Sequence, residues 1–457
     1  MLVSRFANFS SRGLSSAGVV PAGTAWTGYG PSGIDSIIDS VTDTAGRTYI
    51  LSAYCNLMVI DVDGNLMAQF SFIAPPATLY ATALAIDTSG YVYVLANDNA
   101  FANFLYRVVF NGTIFTQQWG KTWTDNILYT KLAFNSTYSI MHAIGTATSS
   151  GQSRIQIVDV DSTLGTYKRL TRIFHTASYR NINSIGNPSC YNGTLTIVGC
   201  MQAYVATSPA GFAANRGFIH TCACTSAGVT LAGIASTQRM VVNGEFSLSN
   251  GSDVILEDVL TNASGVYIVG NTTQQYGSTY IRYGYVELGV APSFPGNAGS
   301  ITTQNNLQMF GWTKHIMSDI TGLYMLGDDP TITSTVVALL NSTTLIPIGS
   351  PTALALTSSG PNPIGIYKVG TRLGLVGKSY STNVTINSLP SNLSIPASTW
   401  TINGLTYNYS TAPTTNSPGT LLASAEAFTT KNNATLTFSN STLVPTATTK
   451  IWNRQNI

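Results

Sequence analysis

The chain has 457 residues, 44% of them hydrophobic and only 9% charged, with a formal net charge of +2. That length and apolar content support one large domain with extensions, while the near-neutral balance and the lack of any basic run exclude a Lys- and Arg-rich nucleic-acid surface. No apolar stretch reaches the roughly 18 residues of a membrane-spanning helix, and the charge content lies far below the roughly 25% of an ordinary soluble domain. Ser, Thr, Asn, Gly and Tyr take the place of the charges, so the expected surface is neutral and hydroxyl-rich. Such a surface suits a chain outside the cytoplasm or inside a large assembly.

In chain order, residues 1–34 carry Arg5 and Arg12 and no acid before Asp35. The composition mimics that of a transit peptide, whereas Ser4, Arg5, Asn8, Ser10 and Ser11 interrupt any secretory apolar core. The expectation is a retained N-terminal arm. A recurring phrase follows. In "SVTDTAGRTYILSA" Asp43, Gly46 and Tyr49 stand at steps of three, and in "LAIDTSGYVYVLAN" Asp87, Gly90 and Tyr93 repeat them. Each phrase precedes a second hairpin, turning at Asp63-Gly64 in the first repeat and at Asn111-Gly112 in the second. Asp-Gly and Asn-Gly between alternating runs are strong hairpin signals, and two hairpins make the four strands of one propeller blade.

The third repeat, "KLAFNSTYSIMHAIG" with "SRIQIVDVDSTLGTYKRL", is degenerate, and the fourth carries an inserted loop around Ser208 to Asn215. Shortened phrases return at Gly265 and Tyr267 and at Gly322 and Tyr324, and "PIGIYKVGTRLGLVGKS" with "STNVTINS" suggests a seventh repeat. Self-similarity at about 45–60 residues predicts an all-β, single β-propeller of about seven four-stranded blades over residues 35–388. No segment has a convincing helical period; "GIDSIIDSV" comes nearest. From 389 to 457 a Pro-punctuated, Thr/Asn/Ser-rich β extension is expected, which either packs on a neighbour or supplies a last strand that closes the ring.

The phrase "DTSGYVYVLAND", with a late Trp119, resembles the bacterial and phage-type beta-propeller repeat families with D-x-x-G-N-x-Y-V-x-G blades. The likeness is strong in two repeats and absent from the third and fourth. It implies the fold only, because such repeats serve surface proteins, enzymes and phage tails alike.

Candidate chemistry is sparse. His220, Cys222 and Cys224 alternate along one strand and so share a face; with Cys200 they form the best metal-like set, although the spacing matches no zinc signature. Two readings stand for the cysteines: a disulfide from Cys200 to Cys222 or Cys224, or buried free thiols. The acid pairs Asp61/Asp63, Asp159/Asp161 and Asp328/Asp329 lack the further acids of a calcium loop and read as turn residues, as do Asp35, Asp39 and Asp43. The histidines His142, His175, His220 and His315 fall in different repeats with no nucleophile motif, so neither catalysis nor a cofactor is expected. About thirteen Asn-x-Ser/Thr triplets occur, among them Asn111, Asn135, Asn192, Asn250, Asn262, Asn341, Asn383, Asn433 and Asn440. They reflect either an Asn/Thr-rich composition or a glycosylated exterior.

The expectation that follows is a non-enzymatic virion component in a tail, spike or capsid surface. Its partners would be other virion proteins or copies of itself, with no nucleic acid and no membrane span. The alternative is a secreted or cell-surface adhesion propeller that binds host glycans. A propeller hydrolase or lyase ranks third.

Overall fold

The computed structural model describes residues 26–29, 37–73, 78–98, 100–125, 127–149, 152–175, 181–204, 213–230, 235–241, 253–276, 279–289, 303–310, 312–329, 334–343, 348, 353–357, 362–378 and 384–393, and short strand-bearing segments between 400 and 456. These residues form seven antiparallel sheets of four or more strands, with no helix among them. Each repeat read from the sequence is one sheet. The first runs through Ile37–Thr42, Thr48–Ser52, Asn56–Ile60 and Leu66–Ile73, from inner to outer strand. Residues 37–41 of the "GIDSIIDSV" segment lie in its innermost strand, because burial on both faces outweighs a weak helical period.

The innermost strands of successive blades pack side by side: Ile37–Thr42 against Tyr80–Ile86, that strand against Leu128–Asn135, and Trp312–Ser318 against Asn362–Val369, which returns to Ile37–Thr42. The ring is therefore closed. Apolar layers fill the gaps between blades. Tyr49, Leu51, Val59, Val94 and Tyr106 lie in the layer of blades 1 and 2; Ile144, Ile157, Ile197 and Phe218 lie in that of blades 3 and 4. Ile50, Met58, Val376 and Ile386 join blade 7 to blade 1.

The first and last described strands are both built into the seventh blade. Trp26–Tyr29, within the segment expected to be an arm, is the fourth strand of the seventh blade and pairs with Val384–Pro390. This strand thus closes the circle, a role that the sequence had offered to the C-terminal extension as one of two alternatives. That extension does something else. Its strands pair antiparallel with the outer strands of blades 5, 4, 3, 2, 1 and 7 in that order, as Thr414–Thr415, Leu421–Ala425, Phe428–Lys431, Ser439–Asn440, Val444–Ala447 and Asn453–Asn456. It is a belt that circles the propeller against the order of the blades and occupies edges that would otherwise present unpaired N–H and C=O groups.

At blade 2 side chains add to the strand pairing. Phe438 stacks on Trp123 at 5.0 Å and meets Tyr167 of blade 3 at 5.4 Å. Ser441 donates its N–H to the Gly120 carbonyl and accepts the Gln117 side-chain amide at its own carbonyl, and its hydroxyl lies 2.8 Å from that of Tyr106. Gly120 is required there, since a Cβ would fall on the Ser441 carbonyl.

Candidate functional site

The recurring Asp-Gly-Tyr phrase is a blade fastener. Asp43 caps its own turn by accepting the N–H groups of Ala45 and Arg47, both at 2.9 Å, and its second oxygen takes the Arg47 Nε at 2.6 Å and the Tyr49 hydroxyl at 3.0 Å. Asp87 repeats this with Ser89, Tyr91 and the Tyr93 hydroxyl. Gly46 and Gly90 supply the left-handed turn conformation, with φ of 82° and 83°. The tyrosines also reach the neighbouring blade. The Tyr93 hydroxyl lies 3.0 Å from the Ser162 carbonyl, Tyr267 donates to the Ser342 carbonyl, and Tyr324 donates to that of Ser391. These residues hold the fold; they do not make a site.

The candidate site lies on the axis. Every innermost strand skips one residue in its pairing, between Ile37 and Asp39, Ala81 and Ala83, Tyr129 and Lys131, Ile182 and Ser184, Leu256 and Asp258, Thr313 and His315, and Pro363 and Gly365. A β-bulge re-aims side chains, and seven of them at equivalent places form a ring. A cavity of about 230 Å³ lies within it, lined by Ile37, Ile38, Asp39, Thr82, Lys131, Asn187, Glu257, Lys314, His315 and Ile364, so that every blade contributes.

The polar members are held in place by bonds between blades. Lys131 Nζ donates to Asn187 Oδ1 at 2.9 Å, and Asn187 Nδ2 lies 3.3 Å from His315 Nδ1. His315 Nδ1 lies 3.6 Å from Asp258 Oδ2. Asp258 and Asp39 are alike: each accepts the N–H of the next residue and one from the next blade, Val259 and Ile316 for Asp258, Ser40 and Leu84 for Asp39. Asp39, read from the sequence as a turn or cap residue, is thus a staple inside the innermost strand. Asn271 donates to Glu257 Oε1 at 3.3 Å. Burial pushes the Glu257 carboxyl above its usual range, against the opposing pull of Lys131, Lys314 and His315.

The residues singled out from the sequence lie elsewhere. His220, Cys222 and Cys224 are buried on Ala213–Thr225, with the His220 ring 5.0 Å from that of Phe218. Among the described residues no group of three or more His, Cys, Asp or Glu side chains is placed to hold a metal ion. None of the five cysteines is in a disulfide, and all are buried. Cys222 and Cys224 face blade 3 in the layer that also holds Cys190, whereas Cys200 alternates with Met201 of that layer and so points to the other side of the sheet. That opposition keeps Cys200 from bridging to either.

Sequence reading missed the partner of Cys224, which is His142 at 3.9 Å. His142 Nδ1 lies 2.6 Å from Asp159 Oδ1, with both side chains fully buried, and Val229 of blade 4 donates its N–H to Asp159 Oδ2 at 2.7 Å. Burial lowers the His142 pKa, but the adjoining Asp159 carboxylate outweighs it and holds the imidazole well above its ordinary value. Asp159 is therefore an interior staple and not a turn residue; Asp61 and Asp161 do cap their turns.

Of the sequons, Asn111, Asn192, Asn341 and Asn440 are exposed. Asn135 is buried, with Nδ2 3.5 Å from His142 Nε2, and Asn262 is half-buried and donates to Ser318. Neither of these two side chains is open to a glycan in the folded state. Asn250, Asn383 and Asn433 lie outside the described residues.

No family model matches the chain, and no curated protein does. Among solved structures it is similar to the β-propeller domain of Cps50 (Swd1) from Myceliophteria thermophila, at 10% identity over 78% of this chain and 96% of that one, with a TM-score of 0.42. It is also similar to Drosophila Semaphorin 2a, at 6% identity over 79% and 74% with a TM-score of 0.49. Drosophila Semaphorin 1b, extracellular domains 1-2, matches at 9% identity over 79% and 86%, also with a TM-score of 0.49. The propeller assignment rests on the strand pairing described above.

Proposed function

We propose that this chain is a non-enzymatic structural protein of a virion, in a tail, spike or capsid surface, whose propeller serves as a building and attachment surface. The observation that carries the reading is the belt. A strand laid on the outer edge of six blades makes the ring resistant to opening and to unwanted edge pairing, properties required of a part that works outside a cell. No disulfide joins any of the five cysteines, so this robustness is reached without one. The buried titratable groups support a non-catalytic role, since His142, Asp159, Asp43 and Asp87 are all engaged in fastening turns and blades. Partners would be other virion proteins or further copies of the chain. Mass spectrometry of purified virus particles from the source of this sequence tests the reading: the chain is expected at a fixed ratio to the capsid protein, and its absence from every particle overturns the proposal.

A second reading, a glycosylated adhesion propeller, is favoured by the exposure of Asn111, Asn192 and Asn341. All three lie at turns after a first or third strand, which share one face of the ring. Intact-mass measurement of the native protein decides it, because an unmodified mass removes that support.

A further inference from the structure

Where blade 3 meets blade 2, away from the axis, two arginines stand side by side without an acid partner. Arg154 is on Gln152–Asp161 and Arg172 on the neighbouring Tyr167–His175, with Gln156 opposite Arg172 and Phe174 opposite Arg154. The two are diagonal neighbours on one face of the sheet, within reach of each other's long side chains. That face meets blade 2, because Val158 and Leu170, in the same alternation, lie in the layer between the two blades. Arg154, Arg172 and the nearby Asp125 are all half-buried, so the rim is open to solvent.

Neither guanidinium is neutralised. Arg172 donates its Nε to Gln156 Oε1 at 2.9 Å, and among the described residues its terminal nitrogens have no partner. Arg154 makes no hydrogen bond or ion pair among the described residues. Its guanidinium lies over the Phe174 ring at 5.8 Å, and its Nε is shut off from water without a partner. Burial and the neighbouring Arg172 charge lower the Arg154 pKa, against the opposing pull of Asp125 and Tyr129. The belt sets a third basic residue, Lys431, opposite Arg172 in the strand register.

Asp125 is the carboxylate that faces both arginines. Its Oδ2 accepts the Tyr129 hydroxyl at 2.6 Å and the Gln156 amide, while its Oδ1 is buried without a partner. Even with Asp125 fully charged, two cations stand against one anion. The rim thus offers unused donors on the arginines and one unused acceptor on Asp125. Buried polar groups left open in this way call for a partner that fits them. Sulfate has no proton to give Asp125 at neutral pH, whereas hydrogen phosphate has both bare oxygens and an O–H.

We infer that this rim binds a hydrogen phosphate group, inorganic or as a monoester. The two guanidiniums take its bare oxygens in charge-assisted bonds, and its O–H donates to Asp125 Oδ1. The inference does not depend on the virion reading.

Thermal melts of the full chain test it, with sodium phosphate, sulfate and chloride compared at pH 7 and matched ionic strength. Phosphate and sulfate both stabilise proteins by exclusion from the surface, a similar and non-saturating effect for the two. Binding adds a saturating rise of about 3 °C in phosphate at about ten times the dissociation constant. Arg154→Gln and Arg172→Gln are each expected to raise the half-saturating phosphate concentration about tenfold. Lys168→Gln, a basic change at the far end of the same strand, should leave it unchanged. Asp125→Asn is expected to narrow the preference for phosphate over sulfate. Glucose 6-phosphate separates the sources: half-saturation below that of inorganic phosphate marks a monoester, and above it the free ion. Equal responses to phosphate and sulfate in the unmodified chain overturn the inference, as does a saturating response that survives Arg154→Gln unchanged. Where a variant fails to fold, the preference of the unmodified chain still decides.

Discussion

His142 and Asp159 show how single residues are used in this chain. Both are fully buried, yet they form an ion pair closed by a backbone N–H from the next blade. Removing one partner of such a pair strands the other charge, at a cost of about 3–5 kcal/mol. His142→Leu is therefore expected to destabilise by that amount in urea unfolding, and Asp159→Leu added to it to recover much of the loss. The pH dependence has a defined sign. Because the folded pKa of His142 is raised, its contribution is complete below its unfolded value, about 6.5. It is lost as pH rises through the higher folded pKa. Melting temperatures measured upward from pH 6 should fall in the native chain, and this component of the fall should be missing from the double variant. None of this was legible beforehand: in sequence His142 and Asp159 lie 17 residues apart, and only the register of two neighbouring strands puts them opposite one another.

At the scale of elements, the blade and the belt follow different rules. A blade is local, two hairpins whose turns are announced by Asp43, Asp61, Asp87 and Asn111, and so the repeats could be counted in the sequence. The axial residues also left a signal that went unread. In the five blades whose first turn is capped by Asp43, Asp87, Asn135, Asn262 or Asp319, the skipped residue is the fifth before the cap: Ile38, Thr82, Thr130, Glu257 and Lys314. The belt left no such signal, because its strands are two to five residues long and pair with blades far away in sequence. Its attachment at Gly120 can be tested directly. Gly120→Val places side-chain atoms where the Ser441 carbonyl sits, and hydrogen exchange at Ser439–Ser441 should rise about tenfold or more, while the inner strands of blade 2 stay protected. Unchanged exchange at Ser441 would refute this account of the belt.

The whole molecule depends on a closure that joins the two ends of the chain. Blade 7 holds Trp26–Tyr29 between Val384–Pro390 and Asn453–Asn456, so the first and last described strands lie side by side. Removing residues 1–30 is expected to expose the edge of Val384–Pro390 and to lower the melting temperature by about 5 °C or more, on a scale where about 1 kcal/mol shifts a large domain by roughly 2–4 °C. Loss of cooperativity should accompany it, with blade 7 fraying first. Limited proteolysis would show early cuts near blade 7; even digestion around the ring would count against the closure described.

What the sequence determined by itself was everything that rests on short-range chemistry. Asx-Gly turns, alternation and the recurring tyrosine are enough to specify hairpins, and hairpins in series are enough to specify blades. The tertiary structure alone decided which strand closes the ring, where the extension runs, which residues pair across blade interfaces, and that seven bulges converge on one charged cavity. Those features arise from contacts between residues tens to hundreds of positions apart, and no periodicity along a chain encodes the geometry of a ring that forms only when its ends meet.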